Sequence, residues 1–367
     1  MRRAGMCKTS CLAVLLTAFL VLMPAGYALA TVSGQCVNCH TMHNSQGGTE
    51  MQLKDGETSA QGALVRGSCV GCHGQSPSGT SNIITNIPQV WHSAATDLAG
   101  GNFKYVVNNG DTYGHNVENV DTQDATLGNT PPGYATAYDP AITDYSTSSR
   151  LTCAGQNGCH GNRDTSDQFG AVSGAHHASD AVLKFGGIIE ASQGASVATS
   201  YRFLYKVKGG EDSDWQNTVS ATDHNEYKGA TYAARTTMAW ADVNTISELC
   251  SECHGNFHMS GSSGIGTASP WLRHPTDVVI PSTVGSEYAS ISTTYNTTVP
   301  VGRTAIPNAA SGTVAAGTDI VMCLSCHRAH ASAYVDILRW DYSTMVANGG
   351  ANTNGCFVCH TTKDDGS

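Results

Sequence analysis

The chain has 367 residues with 19 basic and 29 acidic side chains, which give a formal net charge of −10 at pH 7. Charged residues make up 13% of it, about half of the usual share, and glycine alone contributes 40 residues. Such a chain has no basic surface for a phosphate backbone, which excludes nucleic-acid binding as its main function. The loop-rich, neutral-polar composition favours an extracellular protein.

The first thirty residues predict a secretory signal peptide. Three basic residues precede an apolar run, and Ala28-Leu29-Ala30 is a small-x-small cleavage site. The apolar run is too short to cross a bilayer comfortably. We therefore expect residues 1–30 to be removed and residues 31–367 to be exported as a single elongated domain, with an uncleaved anchor as the alternative. Residues 31–367 contain 16 of the basic and all 29 of the acidic residues, a formal net charge of −13.

Twelve cysteines remain after residue 30, in six close pairs, and a histidine follows each pair at once. The six groups are Cys36, Cys39 and His40; Cys69, Cys72 and His73; Cys153, Cys159 and His160; Cys250, Cys253 and His254; Cys323, Cys326 and His327; and Cys356, Cys359 and His360. Two thiols with this spacing reach the vinyl groups of a haem, and the next residue places an imidazole at the iron.

Five of the groups have the form C-x-x-C-H, which chance would produce roughly 0.02 times in a chain of this composition. Zinc is the competing interpretation of paired C-x-x-C motifs, but zinc does not require a histidine directly after the second cysteine. The sequence therefore predicts six covalently attached c-type haems (Fe). The twelve cysteines would form the thioether bonds, and the six histidines would be the proximal iron ligands.

The third motif, CAGQNGCH (residues 153–160), has five residues between its cysteines. A longer loop still brings both sulfur atoms to one haem if it bulges outward, and Gly155 and Gly158 allow the backbone to do so. We expect a bound haem here. The alternative is a degenerate site with one thioether bond or no haem.

Nine histidines lie outside the motifs: His43, His92, His115, His176, His177, His224, His258, His274 and His330. Six irons with two imidazoles each need six distal ligands, so the supply exceeds the demand; methionine is the alternative ligand. Three of the nine follow a proximal histidine by three or four residues: His43, His258 and His330. On a helical turn such rings project to the same side, whereas axial ligands lie on opposite faces of a haem. Each should therefore ligate a neighbouring haem.

The motifs begin at residues 36, 69, 153, 250, 323 and 356, and the close first and last pairs predict stacked haems at each end. Short helices are predicted around the motifs and in the segment before Cys250, and hairpins over residues 201–212 and 286–302. The predicted fold is a multihaem cytochrome c of low regular secondary structure. It has short helices around the haem motifs, a few small hairpins, and a core formed by a chain of stacked haems.

Several stretches resemble one family, the filament-forming hexahaem c-type cytochromes of the OmcS type from metal-reducing bacteria. The stretches are CVNCHTMHNSQGG, YGHN, SELCSECHGNFH, WLRHP, and CLSCHRAHAS followed by LRW, in the family's order. The resemblance implies subunits that polymerise end to end around a continuous chain of bis-histidine haems. It also implies that His43 ligates the iron held by His327 in the adjacent subunit.

Residue by residue, the resemblance implies six distal ligands: His43, His92, His115, His258, His274 and His330. The chain departs from the family at Arg163, where the family has a further histidine. His176 or His177 would substitute if that histidine were needed.

The expected function is therefore extracellular electron transfer, without bond-making chemistry, by an exported protein of the cell surface or its surroundings. Expected partners are further copies of the chain, other multihaem cytochromes and extracellular electron acceptors. The alternatives are a monomeric electron shuttle of the periplasm or outer surface, a multihaem reductase with an open iron at the third motif, and a surface module with incidental haems.

Overall fold

The computed structural model describes residues 35–46, 49–50, 61–75, 79–134, 148–177, 185, 190–231, 244–257, 274–282, 287–347 and 353–361. The expected signal peptide, residues 1–30, lies outside the described residues, and so does His258. No helix in these ranges is long and apolar enough to cross a membrane.

The described helices are short, and several of them carry a haem motif. The α-helices are α1 (Cys69–His73), α2 (Lys104–Asn109), α3 (Gln168–Val172), α4 (Ile246–Ser251) and α5 (Cys323–Cys326). The 3₁₀ helices are Cys36–Asn38, Asp111–Tyr113, Ala175–His177, Val197–Thr199, Tyr201–Phe203, Gly255–Phe257, Val335–Ile337, Tyr342–Thr344 and Gly355–Val358. Helix α4 is the helix predicted before Cys250, and the Thr245 hydroxyl caps it by accepting a hydrogen bond from the Glu248 amide.

The strands are two or three residues long. They are β1 (Ser45–Gln46), β2 (Thr49–Glu50), β3 (Ile83–Ile84), β4 (Ile87–Pro88), β5 (Thr152–Ala154), β6 (Gly158–His160), β7 (Gly209–Gly210), β8 (Glu226–Lys228), β9 (Val278–Val279), β10 (Gly302–Arg303) and β11 (Ile320–Val321). Five of them form one sheet in the order β7-β8-β10-β11-β9, in which β8 and β10 are parallel and the other neighbours antiparallel.

Hairpins occur, but not where the sequence predicts them. Strands β3 and β4 are joined by Thr85 and Asn86, whose φ angles of 49° and 61° suit a tight two-residue turn. Within residues 201–212, strand β7 pairs with β8, the next strand in the chain, and the end of residues 287–302 enters β10 beside β8 and β11. The alternating pattern in these two segments therefore reflects pairing with strands outside each segment.

Buried apolar side chains form several small clusters. The largest contains Tyr201, Leu204, Val207, Tyr227, Ile246, Leu249, Met322 and Leu324. Others centre on Phe103 and Val106 beside α2, and on Ile280 and Tyr295 beside the five-stranded sheet. Because the described helices and strands are all short, the predicted low content of regular structure is confirmed. The large apolar bodies that unite such clusters would be the haems.

Candidate functional site

The five C-x-x-C-H motifs share one backbone geometry. In four of them the histidine amide donates a hydrogen bond of 2.8–3.0 Å to the carbonyl of the first cysteine, and in the remaining one helix α1 spans the motif. This is one turn of helix, so the two cysteines lie one above the other and the histidine directly follows them. The turn therefore presents two thiols and an imidazole together.

The third motif reaches the same arrangement by another route. Its cysteines lie on β5 and β6, which are parallel, and Thr152 and Ala154 pair with Gly158 and His160. Cys153 therefore lies opposite Cys159, at the roughly 4.8 Å that separates paired strands, which is close to the spacing of one helical turn. Gly155 makes the loop possible with a φ of +80°, a region that L side chains rarely adopt.

Most candidate ligands have their Nδ1 atom engaged. Nδ1 lies 2.7–3.1 Å from a backbone carbonyl in seven histidines: His40 (Ala63), His73 (Pro88), His115 (Ala329), His160 (Arg202), His254 (Pro132), His274 (Pro275) and His327 (Asp336). Nδ1 of His360 lies 3.4 Å from a carboxylate oxygen of Glu287. An Nδ1–H that donates to such an oxygen leaves the Nε2 lone pair free to bind a metal.

Five imidazole pairs each join a motif histidine to a histidine outside the motifs. The ring centroids are 6.5 Å apart for His40–His177, 6.2 Å for His73–His176, 6.2 Å for His160–His330, 6.2 Å for His254–His115 and 6.0 Å for His360–His274. Two imidazoles on opposite sides of one iron, with each nitrogen roughly 2.0 Å from the metal and about 1.2 Å from its ring centre, have centroids about 6.4 Å apart. The five separations match this arrangement.

Burial keeps several of these rings neutral. Desolvation lowers the pKa of His115 and His160 to about 4 and that of His330 to about 3. A neutral imidazole retains the lone pair that a metal needs.

His92 and His224 are buried, and their ring nitrogens are engaged differently. Nδ1 of His92 accepts a hydrogen bond of 3.2 Å from the Ala94 amide, and its Nε2 lies 3.2 Å from the side-chain nitrogen of Asn102. In His224, Nδ1 lies 3.1 Å from the Ser220 carbonyl and Nε2 lies 3.3 Å from the Glu226 carboxylate. Both nitrogens of each ring thus have polar neighbours within 3.3 Å. Among the described residues, no motif histidine lies opposite His92 at the separation given above, and the distal role that the sequence predicts for His92 stays a prediction.

His43 and His327 are both exposed. Among the described residues, His327 is the one motif histidine without a second imidazole at the separation given above. His258, which the sequence predicts as a distal ligand, lies outside the described residues. After the five pairs and the two engaged rings, His43 and His258 remain as candidates for the iron of His327.

Cysteines of successive motifs approach one another. The Cys153 thiol contacts that of Cys69, and the Cys250 thiol contacts that of Cys323. Cys159 lies close to Cys250, and Cys326 lies close to Cys356. The first two motifs are joined instead through the adjacent residues His176 and His177, which pair with His73 and His40. The six motifs thus form one continuous series in chain order.

These features fit c-type haem. Each motif offers two neighbouring thiols and an imidazole, and five motifs have an opposing imidazole at the separation that suits iron. A zinc site would gather its donors within about 2.3 Å of one ion. The described residues contain no group of three or more His, Cys, Asp or Glu side chains arranged to hold such an ion.

The sequence predicts His176 and His177 only as substitute ligands, and the structure places both beside motif histidines. The signal available in the sequence was the His-His dipeptide itself. Two adjacent imidazoles project in different directions and suit two neighbouring irons. They lie in the 3₁₀ helix Ala175–His177, directly after α3.

Comparison with known proteins supports the resemblance. The model of the doubled CXXCH motif matches residues 313–365. The C-type cytochrome OmcS of Geobacter sulfurreducens is 26% identical over 93% of this chain and 88% of its own length. The Outer Membrane Cytochrome S filament from the same organism is 21% identical, with a TM-score of 0.44 over 92% of this chain and 93% of its own. The similarity to OmcS extends over almost the whole chain and confirms the resemblance drawn from the motifs.

Proposed function

We propose that the chain is an extracellular electron-transfer protein with six c-type haems, each held between two histidines, and that it is the subunit of a cytochrome filament. The observation that carries the proposal is the set of five imidazole pairs at 6.0–6.5 Å, each with one motif histidine. OmcS, a c-type cytochrome, is the relative that supports the assignment.

The distal ligands in this proposal follow the pairs. His177 serves the iron of His40, His176 that of His73, His330 that of His160, His115 that of His254, and His274 that of His360. Three of these, His115, His274 and His330, are among the ligands that the family resemblance implies. The other two, His176 and His177, take the places of His92 and His258 in the set that the resemblance implies.

The sixth distal ligand is His43 of an adjacent subunit, which binds the iron held by His327. Both residues are exposed, as an intermolecular ligand and its target must be. Exposed apolar side chains lie in the same segments: Met42 is 78% and Val37 53% exposed close to His43 in the chain, and Val335 is 46% exposed beside Asp336, whose carbonyl contacts His327. Exposed apolar side chains near both residues favour contact between copies of the chain.

When bound, such haems carry one electron at a time, each iron being oxidised as its neighbour is reduced. With an imidazole on each side, the side chains of this chain would hold each metal and leave no position for a substrate, which favours transfer over catalysis. The third motif, which the sequence left as the candidate for an open iron, has His330 opposite His160 at 6.2 Å. Its geometry therefore gives no support to a reductase.

The test compares the wild type with His43→Ala and, as the matched control, His258→Ala. Haem content is measured first, and six haems per chain are expected in all three proteins. Negative-stain electron microscopy should show filaments for the wild type and for His258→Ala, but single particles or short oligomers for His43→Ala. Electron paramagnetic resonance should detect one high-spin iron per chain in His43→Ala alone.

The opposite pattern would contradict the assignment. If His258→Ala produces the high-spin iron and His43→Ala still forms long filaments, His258 ligates the iron of His327 within one chain. If the wild type consists of single particles, the proposal reduces to a monomeric electron shuttle.

A further inference from the structure

Arg163 and Glu252 form a buried ion pair between the third and fourth motifs. Arg163 follows His160 by three residues, and Glu252 stands between the two cysteines of the fourth motif. The Arg163 side chain is 13% exposed and the Glu252 side chain is fully buried. A guanidinium and a carboxylate this far from water interact with nearby charges much more strongly than surface groups do.

The guanidinium lies against both motifs. It contacts the thiol of Cys253, and it is close enough to Cys159 to influence that thiol's charge. Its Nη2 donates a hydrogen bond of 3.2 Å to the Gln156 carbonyl, in the loop between Cys153 and Cys159. Arg163 is therefore held in place by the third motif while it contacts the fourth.

Arg163 is the charge partner of Glu252. Within the described part of the chain, neither carboxylate oxygen of Glu252 has a hydrogen-bond partner, so the ion pair is the compensation found for this buried charge. Loss of the Arg163 charge would therefore leave the Glu252 carboxylate buried without a partner of opposite charge.

We propose that Arg163 and Glu252 shift the reduction potentials of the haems on the third and fourth motifs in opposite directions, so that each charge cancels the effect of the other. The inference rests on the proposed function, because it requires haems at both motifs. The oxidised haem carries one more positive charge than the reduced haem. A fixed cation beside it therefore favours the reduced form and a fixed anion the oxidised form.

The pair as a whole is nearly neutral, so its two members offset each other. The potential of either haem would therefore change only when one member of the pair is neutralised without the other. Arg163 acts through its charge in this role, and it does not ligate iron.

Four purified variants of the full chain test the proposal: Arg163→Gln, Glu252→Gln, the double variant with both changes, and Arg163→Lys. Each is titrated potentiometrically while the absorbance of reduced haem is followed. Arg163→Gln should shift about a third of the absorbance change, that of two haems in six, to lower potential. The expected effect is about a tenfold change in the ratio of reduced to oxidised haem at a fixed potential, or about 59 mV for a one-electron couple.

Glu252→Gln should shift the same third to higher potential, while the double variant and Arg163→Lys should titrate close to the wild type. Titrations of both single variants that overlay that of the wild type would overturn the proposal. If Arg163→Gln does not assemble, Glu252→Gln decides the matter alone: an upward shift supports the proposal, and no shift overturns it.

The number of haems per chain distinguishes a failure of the proposed function from a failure of the ion-pair proposal. Fewer than six haems in the wild type, with the third or fourth motif unmodified, would refute the proposed function. Six haems with unshifted potentials in the variants would refute only the role of the ion pair.

Discussion

At the scale of single residues, the hydrogen bonds of an imidazole decide which of its nitrogens can bind iron. An Nδ1–H that donates to a carbonyl leaves Nε2 free, as in His73 and His115, whose Nδ1 atoms each lie 2.9 Å from a backbone carbonyl. In His92, Nδ1 accepts from the Ala94 amide and Nε2 lies 3.2 Å from the Asn102 side-chain nitrogen. Three histidines that look alike in the sequence thus differ in the hydrogen bonds of their ring nitrogens.

We expect different outcomes for His177→Ala and His92→Ala, because His177 lies opposite the motif histidine His40 and His92 lies opposite none of the described motif histidines. His177→Ala should leave the iron of His40 with one imidazole, so that about one haem in six becomes high-spin. His92→Ala should retain six low-spin haems and lose about 1–3 kcal/mol of unfolding free energy, because it removes a buried, hydrogen-bonded side chain. Electron paramagnetic resonance and chemical denaturation measure the two effects. A high-spin haem in His92→Ala would restore that residue as a ligand.

At the scale of elements, two kinds of secondary structure place a pair of thiols side by side. One turn of helix does so in the five C-x-x-C-H motifs, and the parallel pair β5–β6 does so in the third. A tight loop joins β5 to β6, and Gly155 in this loop adopts a φ of +80°. A Cβ at this position would lie 2.8 Å from the Thr165 carbonyl oxygen, so an alanine would be both strained and crowded.

Gly155→Ala should therefore impair haem attachment at the third motif alone. The expected product is a chain with five haems, or with six haems of which one has a single thioether bond, as detected by mass spectrometry of the intact and digested protein. The matched control is Gly110→Ala, because Gly110 has a φ of +104° and open space where its Cβ would lie. Six fully attached haems in Gly155→Ala would show that the loop tolerates a different conformation.

At the scale of the whole molecule, the six motifs form one series, and His327, the histidine of the fifth motif, is exposed to solvent. Cysteine contacts and the His176–His177 dipeptide connect each motif to the next in chain order. The exposed His327 and the exposed His43 are different surfaces of the same chain, so a contact between them is heterologous. A heterologous contact that does not close into a ring produces a filament.

Doping wild-type protein with His43→Ala subunits should therefore shorten the filaments. A variant subunit can receive His43 from a neighbour but cannot offer one, so it ends growth on one side. At a variant fraction of one in ten, mean lengths on the order of ten subunits are expected from this heterologous geometry. Electron micrographs of mixtures measure the length distribution. Equal doping with His258→Ala is the control and should leave the lengths unchanged; equal shortening by both would point to an effect other than His43.

The sequence by itself determined the chemistry. The six cysteine pairs with their histidines predict covalent haem, because thioether attachment and proximal ligation both depend on residues that are adjacent in the chain. The low regular structure and the short helices around the motifs follow from these local patterns and are confirmed by the structure. The resemblance to the OmcS type is confirmed by the similarity in sequence to OmcS.

Only the tertiary structure decided which distant imidazole faces which motif. His330 faces His160 across 170 residues of chain, and His177 lies opposite His40 across 137, separations that no local pattern encodes. The same is true of the hairpin segments that pair elsewhere and of Arg163 beside Glu252. Opposite faces of a haem must be supplied by different parts of the chain, so distal ligation depends on how the chain returns to each motif.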